Sequence, residues 1–469
     1  MADSGIRILG ERQASILDKA AMCCSGDGRG IACEKASVSG AVSQRACVYC
    51  GARVVLNPIT DAYHIVHGPI GCSSYTWDIR GSLSSGSELY RNSFSTDLRE
   101  TDVIFGGEKK LAAAIDELVA QCDAKLIFVY ATCIVGVIGD DVDAVCLQAE
   151  QKYGIRCIPV KAPGFSGTKS LGYKMACHAI LQYILPYGKT AARRPKSVNI
   201  LGDFNLAGEI WIIRNYMKQI GVEVLATITG DASSETLAKA PGAALNLVQC
   251  AGSSMYLANM LEEQFGTPLM KVSFFGVEDT SASLMRVAQY FDDPEILARA
   301  TAFTQAQSAQ SRAFLEKFKP RFAGKKAAIY VGGGFKAISL IRQFREMGIE
   351  TVVVGTQTGK KDDYEVIGQL VGPDTVILDD ASPAELEKFM IEKGADILVG
   401  GVKERPLAYK LGVAFCDHNH ERKHALAGYE GVRNFTQEVN LSINSPVWKY
   451  SRGETTAVQD EQKGGCAAV

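Results

Sequence analysis

At 469 residues the chain suggests about three domains of roughly 150 residues each. With 47% hydrophobic and 22% charged residues it can fill several ordinary cores, and a net charge of −2 gives no electrostatic reason to expect nucleic acid or an anionic membrane as partner. No apolar run approaches the roughly 18 residues of a membrane span, and the opening MADSGIRILGERQ lacks the pattern of a secretory signal. Fourteen cysteines in such a chain therefore read as thiols of a reducing cytoplasm, some bound to metal, and not as a disulfide framework. The final Cys466-Ala467-Ala468-Val469 formally matches a prenylation box, but Val is not a usual last residue and no polybasic stretch precedes it.

Residues 1–45 are polar and rich in Gly, Ser and Cys, and read as an N-terminal arm in which Cys23, Cys24 and Cys33 are incidental thiols. Beyond them short β-branched runs alternate with helical patterns. KLIFVYA (125–131) precedes a helix beginning near Asp140, and IRCIPV (155–160) precedes the glycine-rich GFSGTKSLG and another helix. The design repeats through SVNILGDFN, VEVLATITG and AALNLVQC, and again through KKAAIYVGGG, ETVVVGTQT, TVILDDAS, ADILVGG and VAFCDHN. Such alternation indicates parallel sheets covered by helices on both faces. The expected fold is α/β, with three Rossmann-like parallel-sheet domains at 46–192, 193–300 and 301–469, the last ending in a polar tail. Boundaries fall near AARRPKS (191–197) and in the polar helical stretch 294–322. Functional groups of parallel sheets collect at the carboxyl ends of strands, so three domains can turn those ends toward one central pocket.

Three cysteines stand where loops meet strands or helices: Cys47 in RACVYCG, Cys72 in HIVHGPIGC and Cys133 in VYATCIVGVIGDD. Their Gly, Pro and turn neighbours expose backbone N–H groups that can hydrogen-bond cluster sulfur. Three thiolates from one chain leave a fourth ligand to be found. Cys250, at the end of AALNLVQC, stands apart from them, which suggests two metal sites. Cys122, Cys146, Cys157 and Cys177 lie inside helices or strands and read as buried, inert thiols. Cys47 and Cys50 form a C-x-x-C pair, but no second pair completes a zinc set.

GFSGTKS lacks the spacing of a phosphate loop, and YVGGGFK is not a dinucleotide fingerprint, though its amides can hold an anion. No histidine–carboxylate–serine set stands out. His64 and His67 flank the Cys72 loop and are expected to orient it, not to ligate.

HIVHGPIGCSSYTWDIRG, SFSTDLRETDVIFGGEKKL and TCIVGVIGDDVDAVC followed by GFSGTKSLG closely resemble the α-subunit family of the nitrogenase molybdenum–iron protein, over residues 45–445. The resemblance implies a nitrogenase component 1 type fold. It implies that Cys47, Cys72 and Cys133 hold a [4Fe–4S] cluster at a subunit interface with one cysteine of a NifN-like β subunit, in an α2β2 heterotetramer. It matches Cys250 to the cysteine that binds the terminal iron of the cofactor or of its precursor, and Arg80 and Lys336 to basic contacts of the cofactor.

Departures from the family pattern are equally specific. Asn419, between His418 and His420, stands where nitrogenase has the histidine that ligates molybdenum. Lys169 and Tyr173 stand where it has glutamine and histidine beside the substrate. An amide is a much poorer transition-metal ligand than imidazole. The implied role is accordingly a scaffold for assembling the iron–molybdenum cofactor, without turnover of its own. It receives an eight-iron precursor from NifB, exchanges iron for molybdenum and adds homocitrate with the NifH Fe protein, and passes the product to apo-nitrogenase. The alternatives are a divergent dinitrogen-reducing α subunit, a scaffold subunit of the vanadium system, and a related tetrapyrrole reductase that keeps the cysteine trio without a cofactor.

Overall fold

The structure is a computed structural model that describes residues 16–18, 46–76, 92–188, 192–419, 422 and 424–448. In chain order its strands are β1 Ile16–Asp18, β2 Ala62–His67, β3 Ser93–Ser95, β4 Leu126–Ala131, β5 Arg156–Lys161, β6 Ser197–Asp203 and β7 Glu223–Thr229. They continue with β8 Leu245–Val248, β9 Leu269–Lys271, β10 Lys326–Val331, β11 Glu350–Thr356, β12 Val376–Asp379, β13 Ile397–Gly400 and β14 Ala414–Asp417. These make three sheets, ordered β3-β2-β4-β5, β7-β6-β8-β9 and β1-β12-β11-β10-β13-β14. Every residue of β4 and β6 is buried, as strands covered on both faces must be, although β6 carries the polar Ser197, Asn199 and Asp203.

All pairings are parallel except that of β1 with β12. β1 comes from the segment read as an arm. At the sheet edge it pairs with one neighbour only, β12, and runs antiparallel to it.

The described residues fall into two compact units. One comprises 46–309 with 422 and 424–431 and contains both four-stranded sheets; the other comprises 310–419 and 432–448 with 16–18 and contains the six-stranded sheet. Among its passages between them, the chain crosses inside the helix Pro294–Glu316 and again inside the helix Gly428–Ile443. No helix among the described residues is long and apolar enough to cross a membrane.

Register sets the level of the strand ends. In the first sheet His67 lies opposite Ala131, and Ala131 opposite Lys161. The loops after β2, β4 and β5 therefore emerge side by side, and they carry Cys72, Cys133 and Gly164. Cys47 reaches the same edge by another route. The helix Val48–Leu56 packs on the helix Lys169–Tyr183 at backbone distance: a Cβ at Gly172 would lie 1.9 Å from the Val48 carbonyl oxygen, and one at Gly51 would lie 2.1 Å from that of Lys169. Only glycine fits at either position.

Gly172→Ala is therefore expected to destabilise the protein by about 1–3 kcal/mol, as overpacking does. Gly252→Ala is the control, because a Cβ there meets nothing within 4 Å in the helix Ala251–Phe265. It should be neutral or stabilise by about 0.4–1 kcal/mol. Denaturant unfolding of both variants checks the pair.

Candidate metal centre

Cys47 caps the N-terminus of the helix Val48–Leu56 and is exposed. An isolated antiparallel bridge to Thr168 and a 2.9 Å bond from the Lys169 N–H to the Ala46 carbonyl fix it. Cys133 is the first residue of the helix Cys133–Ile138 and is also exposed. Cys72 lies half-buried in the helix Ile70–Thr76 that follows β2.

Gly164 joins two of the three. Its N–H donates to Cys133 Sγ at 3.0 Å, and a Cβ on it would lie 3.0 Å from Cys133 Sγ, 3.1 Å from Cys47 Cβ and 3.5 Å from Cys47 Sγ. Cys72 senses both partners. Burial pushes its thiol pKa up, negative charge at Cys133 and at Cys47 pushes it further, and the Thr132 hydroxyl opposes the rise. The three expected sulfurs are thus neighbours.

Among the described residues no group of three or more His, Cys, Asp or Glu side chains closes around a single ion. The C-x-x-C pair divides, since Cys50 is buried while Cys47 is exposed. Cys146, Cys157 and Cys177 are buried as expected, and burial pushes Cys177 up to about 12, whereas Cys122 is only half-buried because it lies just past the end of the helix Glu108–Gln121 and not inside it.

His67 braces this edge. Its Nδ1 is 3.0 Å from Thr96 Oγ1 and its Nε2 3.1 Å from Asp140 Oδ2, while both oxygens of Asp140 accept from the Gly107 N–H. With both ring nitrogens engaged, His67 is fixed at the end of β2. His64 lies deeper, bonded through Nδ1 to the Tyr130 hydroxyl at 2.9 Å. Several exposed apolar side chains lie on or near the elements that carry the cysteines. Ile70 and Val137 project from the helices that carry Cys72 and Cys133, Phe165 follows Gly164, and Ile104 and Phe105 are 73% and 85% exposed.

Cys250 is not part of this group. It is half-buried on the second sheet, between β8 and the helix Ala251–Phe265. Gly202, at φ +85°, passes beneath it so closely that a Cβ would lie 2.8 Å from Cys250 Cβ. Lys169 starts the helix Lys169–Tyr183, with its ammonium 5.8 Å from the Tyr173 ring centre. In the other compact unit Lys336 and Asn419 meet: Lys336 Nζ donates to the His418 carbonyl at 2.9 Å and lies 3.5 Å from Asn419 Oδ1. Arg80, Cys23, Cys24, Cys33 and Cys466 lie outside the described residues.

Sequence reasoning missed Gly164, Thr132 and Asp140 as parts of the centre. GFSG was weighed as a phosphate loop and, with the segment around Asp140, as part of a family-like motif, but none of these residues was given a role beside the cysteines.

Burial lowers the pKa of His67, and lowers that of His64 well below its usual value. The unfolded chain then binds more protons than the native one below the ordinary histidine value of about 6.5. Stability should be fully present above that pH and fall as pH drops toward the depressed native values. His64→Phe should flatten the fall, which thermal unfolding between pH 5 and 8 measures.

The family model of nitrogenase component 1 type oxidoreductases matches residues 47–444. The nitrogenase iron-molybdenum cofactor biosynthesis protein NifE of Clostridium pasteurianum is 64% identical over 445 residues, covering 95% of this chain and 97% of that protein. NifE of Methanosarcina barkeri is 51% identical over 431 residues, covering 90% and 93%. The solved structure of nitrogenase Cp1 at pH 6.5 superposes with a TM-score of 0.85 at 30% identity, over 94% of this chain and 96% of that one.

Proposed function

Because the chain belongs to the nitrogenase component 1 type oxidoreductase family, we propose that it acts as the NifE-type scaffold subunit in biosynthesis of the iron–molybdenum cofactor. The observation that carries this reading is likeness over nearly the whole chain to proteins named for that role, at 64% and 51% identity. It is preferred over a divergent dinitrogen-reducing subunit, since the nitrogenase structure is only 30% identical.

The residues present fit a resident iron–sulfur cluster. Three neighbouring thiols, a glycine N–H already aimed at one sulfur and a cradle that a single Cβ would fill are what such a group requires. Cys47, Cys72 and Cys133 would hold a [4Fe–4S] cluster, which when bound supplies one-electron transfer. Its fourth ligand would come from a NifN-like β subunit in an α2β2 assembly. The exposed apolar residues around the cysteines favour burial by macromolecular partners, such a subunit and a NifH-type Fe protein. Thr132 and Gly164 orient the sulfurs, and His67 with Asp140 keeps the Cys72 loop in place.

The cargo is the eight-iron precursor, delivered by NifB, completed with molybdenum and homocitrate, and passed to apo-nitrogenase. Cys250 anchors its terminal iron. Lys169, Arg80, Lys336 and Asn419 supply polar and basic contacts. With Asn419 in place of an imidazole, the far end of the cargo is held by hydrogen bonds and charge, not by a second strong metal ligand.

Cys72→Ala should abolish the paramagnetic signal of the interface cluster and weaken partner assembly, while Cys250→Ala should keep that signal and load precursor poorly. Iron analysis and spectroscopy of the purified complexes test this. A normal interface signal in Cys72→Ala, or normal precursor loading in Cys250→Ala, contradicts the corresponding assignment.

Asn419→His should retain matured cargo and slow its transfer to cofactor-free nitrogenase, each tenfold loss in rate corresponding to about 1.4 kcal/mol of barrier. Activation of the acceptor by loaded scaffold measures it; unchanged transfer removes Asn419 from control of release.

A further inference from the structure

Arg53 carries a buried positive charge that no carboxylate among the described residues is seen to balance. It lies in the helix Val48–Leu56, every residue of which is buried, and is itself 1% exposed. Its Nη2 donates to Ser93 Oγ on β3, and its guanidinium carbon lies 5.4 Å from the Tyr130 ring centre. Nε and Nη1 have no hydrogen-bond partner. None of these partners is anionic. His64, bonded to the same tyrosine, is held neutral by burial, and the Arg53 charge opposes its protonation further. A buried cation without a counter-ion is costly, and such a group in a native interior calls for a reason.

Its place in the fold supplies one. Cys47 caps the same helix six residues earlier, about 9 Å along the axis at 1.5 Å per residue. Tyr130 precedes Cys133 by three residues, about 10 Å along an extended strand at 3.3 Å per residue. Both routes tie Arg53 to the cysteine-bearing edge of the first sheet through a few residues of regular structure. The intervening core is apolar, with Tyr49 and Val48 fully or almost fully buried, so the field there is weakly screened.

We infer that Arg53 is a fixed positive charge that raises the reduction potential of the cluster held by Cys47, Cys72 and Cys133. The inference rests on the proposed reading that these cysteines carry an iron–sulfur cluster. Thiolate-ligated clusters are anionic, and reduction adds another negative charge, so a nearby cation favours the reduced form. Arg53 does not touch the sulfurs. It acts through its field, and Ser93 and Tyr130 only hold it in position.

The test is a redox titration of the interface cluster, followed by its paramagnetic signal, in the purified complex with the β-type partner. Arg53→Met should shift the oxidised-to-reduced ratio at fixed potential about tenfold toward the oxidised form, a drop of about 59 mV for one electron. Arg53→Lys keeps the charge and should stay near wild type, as should Ser93→Ala, which removes only the hydrogen bond. Arg53→Met with a full cluster at the wild-type potential overturns the inference, as does Ser93→Ala moving the potential as far as Arg53→Met. Where Arg53→Met does not assemble, Arg53→Lys decides: a cluster at wild-type potential upholds the charge, and a lost cluster or an equal drop overturns it. A wild-type complex without any cluster on the trio overturns the proposed function and this inference with it.

Discussion

The candidate metal centre depends on one contact, the backbone-to-backbone approach of the helices Val48–Leu56 and Lys169–Tyr183 at Gly51 and Gly172. That approach allows the Lys169 N–H to bond the Ala46 carbonyl and Cys47 to pair with Thr168. Gly164, four residues before Thr168, then lies between Cys47 and Cys133. A side chain at either glycine would push the first helix outward and carry Cys47 with it. Two short residues far apart in sequence thus set the distance between two sulfurs. The third sulfur comes from register alone, because β2 and β4 end level and their loops leave the sheet together.

Three cysteines brought this close repel one another as thiolates, and Cys72 registers that repulsion together with its burial. Several features offset it. Cys47 and Cys133 both head helices, where the dipole favours negative charge, and the Gly164 N–H donates to Cys133 Sγ. These groups orient the sulfurs before any metal arrives but do not neutralise them. On the proposed reading, binding of a cationic iron core would release the proton that burial and neighbouring charge favour on Cys72, which ties the affinity of the centre to pH.

Much of this was legible in the sequence. Turn residues around Cys47, Cys72 and Cys133 separated them from Cys146, Cys157 and Cys177, which sit in regular elements and are buried. The strand runs gave three α/β sheets because fully buried parallel strands have no polar alternation to blur them. What was not legible depends on tertiary register. That Gly164 donates to a sulfur 31 residues away follows only once β4 and β5 end level. Arg53 reads in sequence as an ordinary polar position of an amphipathic helix, and nothing local reveals that its whole helix is enclosed. β1 was hidden because a three-residue strand in a polar arm carries no periodicity.

On the proposed reading the two kinds of site are built by opposite rules. The cysteines assigned to the resident cluster lie on one sheet edge, where His67, Asp140 and Thr132 bond to one another's segments within the protein. The residues assigned to the far end of the cargo, Lys336 and Asn419, already have partners within the protein. Lys336 Nζ donates to the His418 carbonyl, and the Asn419 N–H donates to Asp417 Oδ1. Engaging cargo through Lys336 then exchanges one set of hydrogen bonds for another, so the net gain is much smaller than the contact alone suggests. A protein that kept its cofactor would gain from leaving such groups unpaired until the cofactor arrived. One that must pass it on is better served by groups with somewhere to return, since the internal bonds re-form as the cargo leaves and lower the cost of its departure.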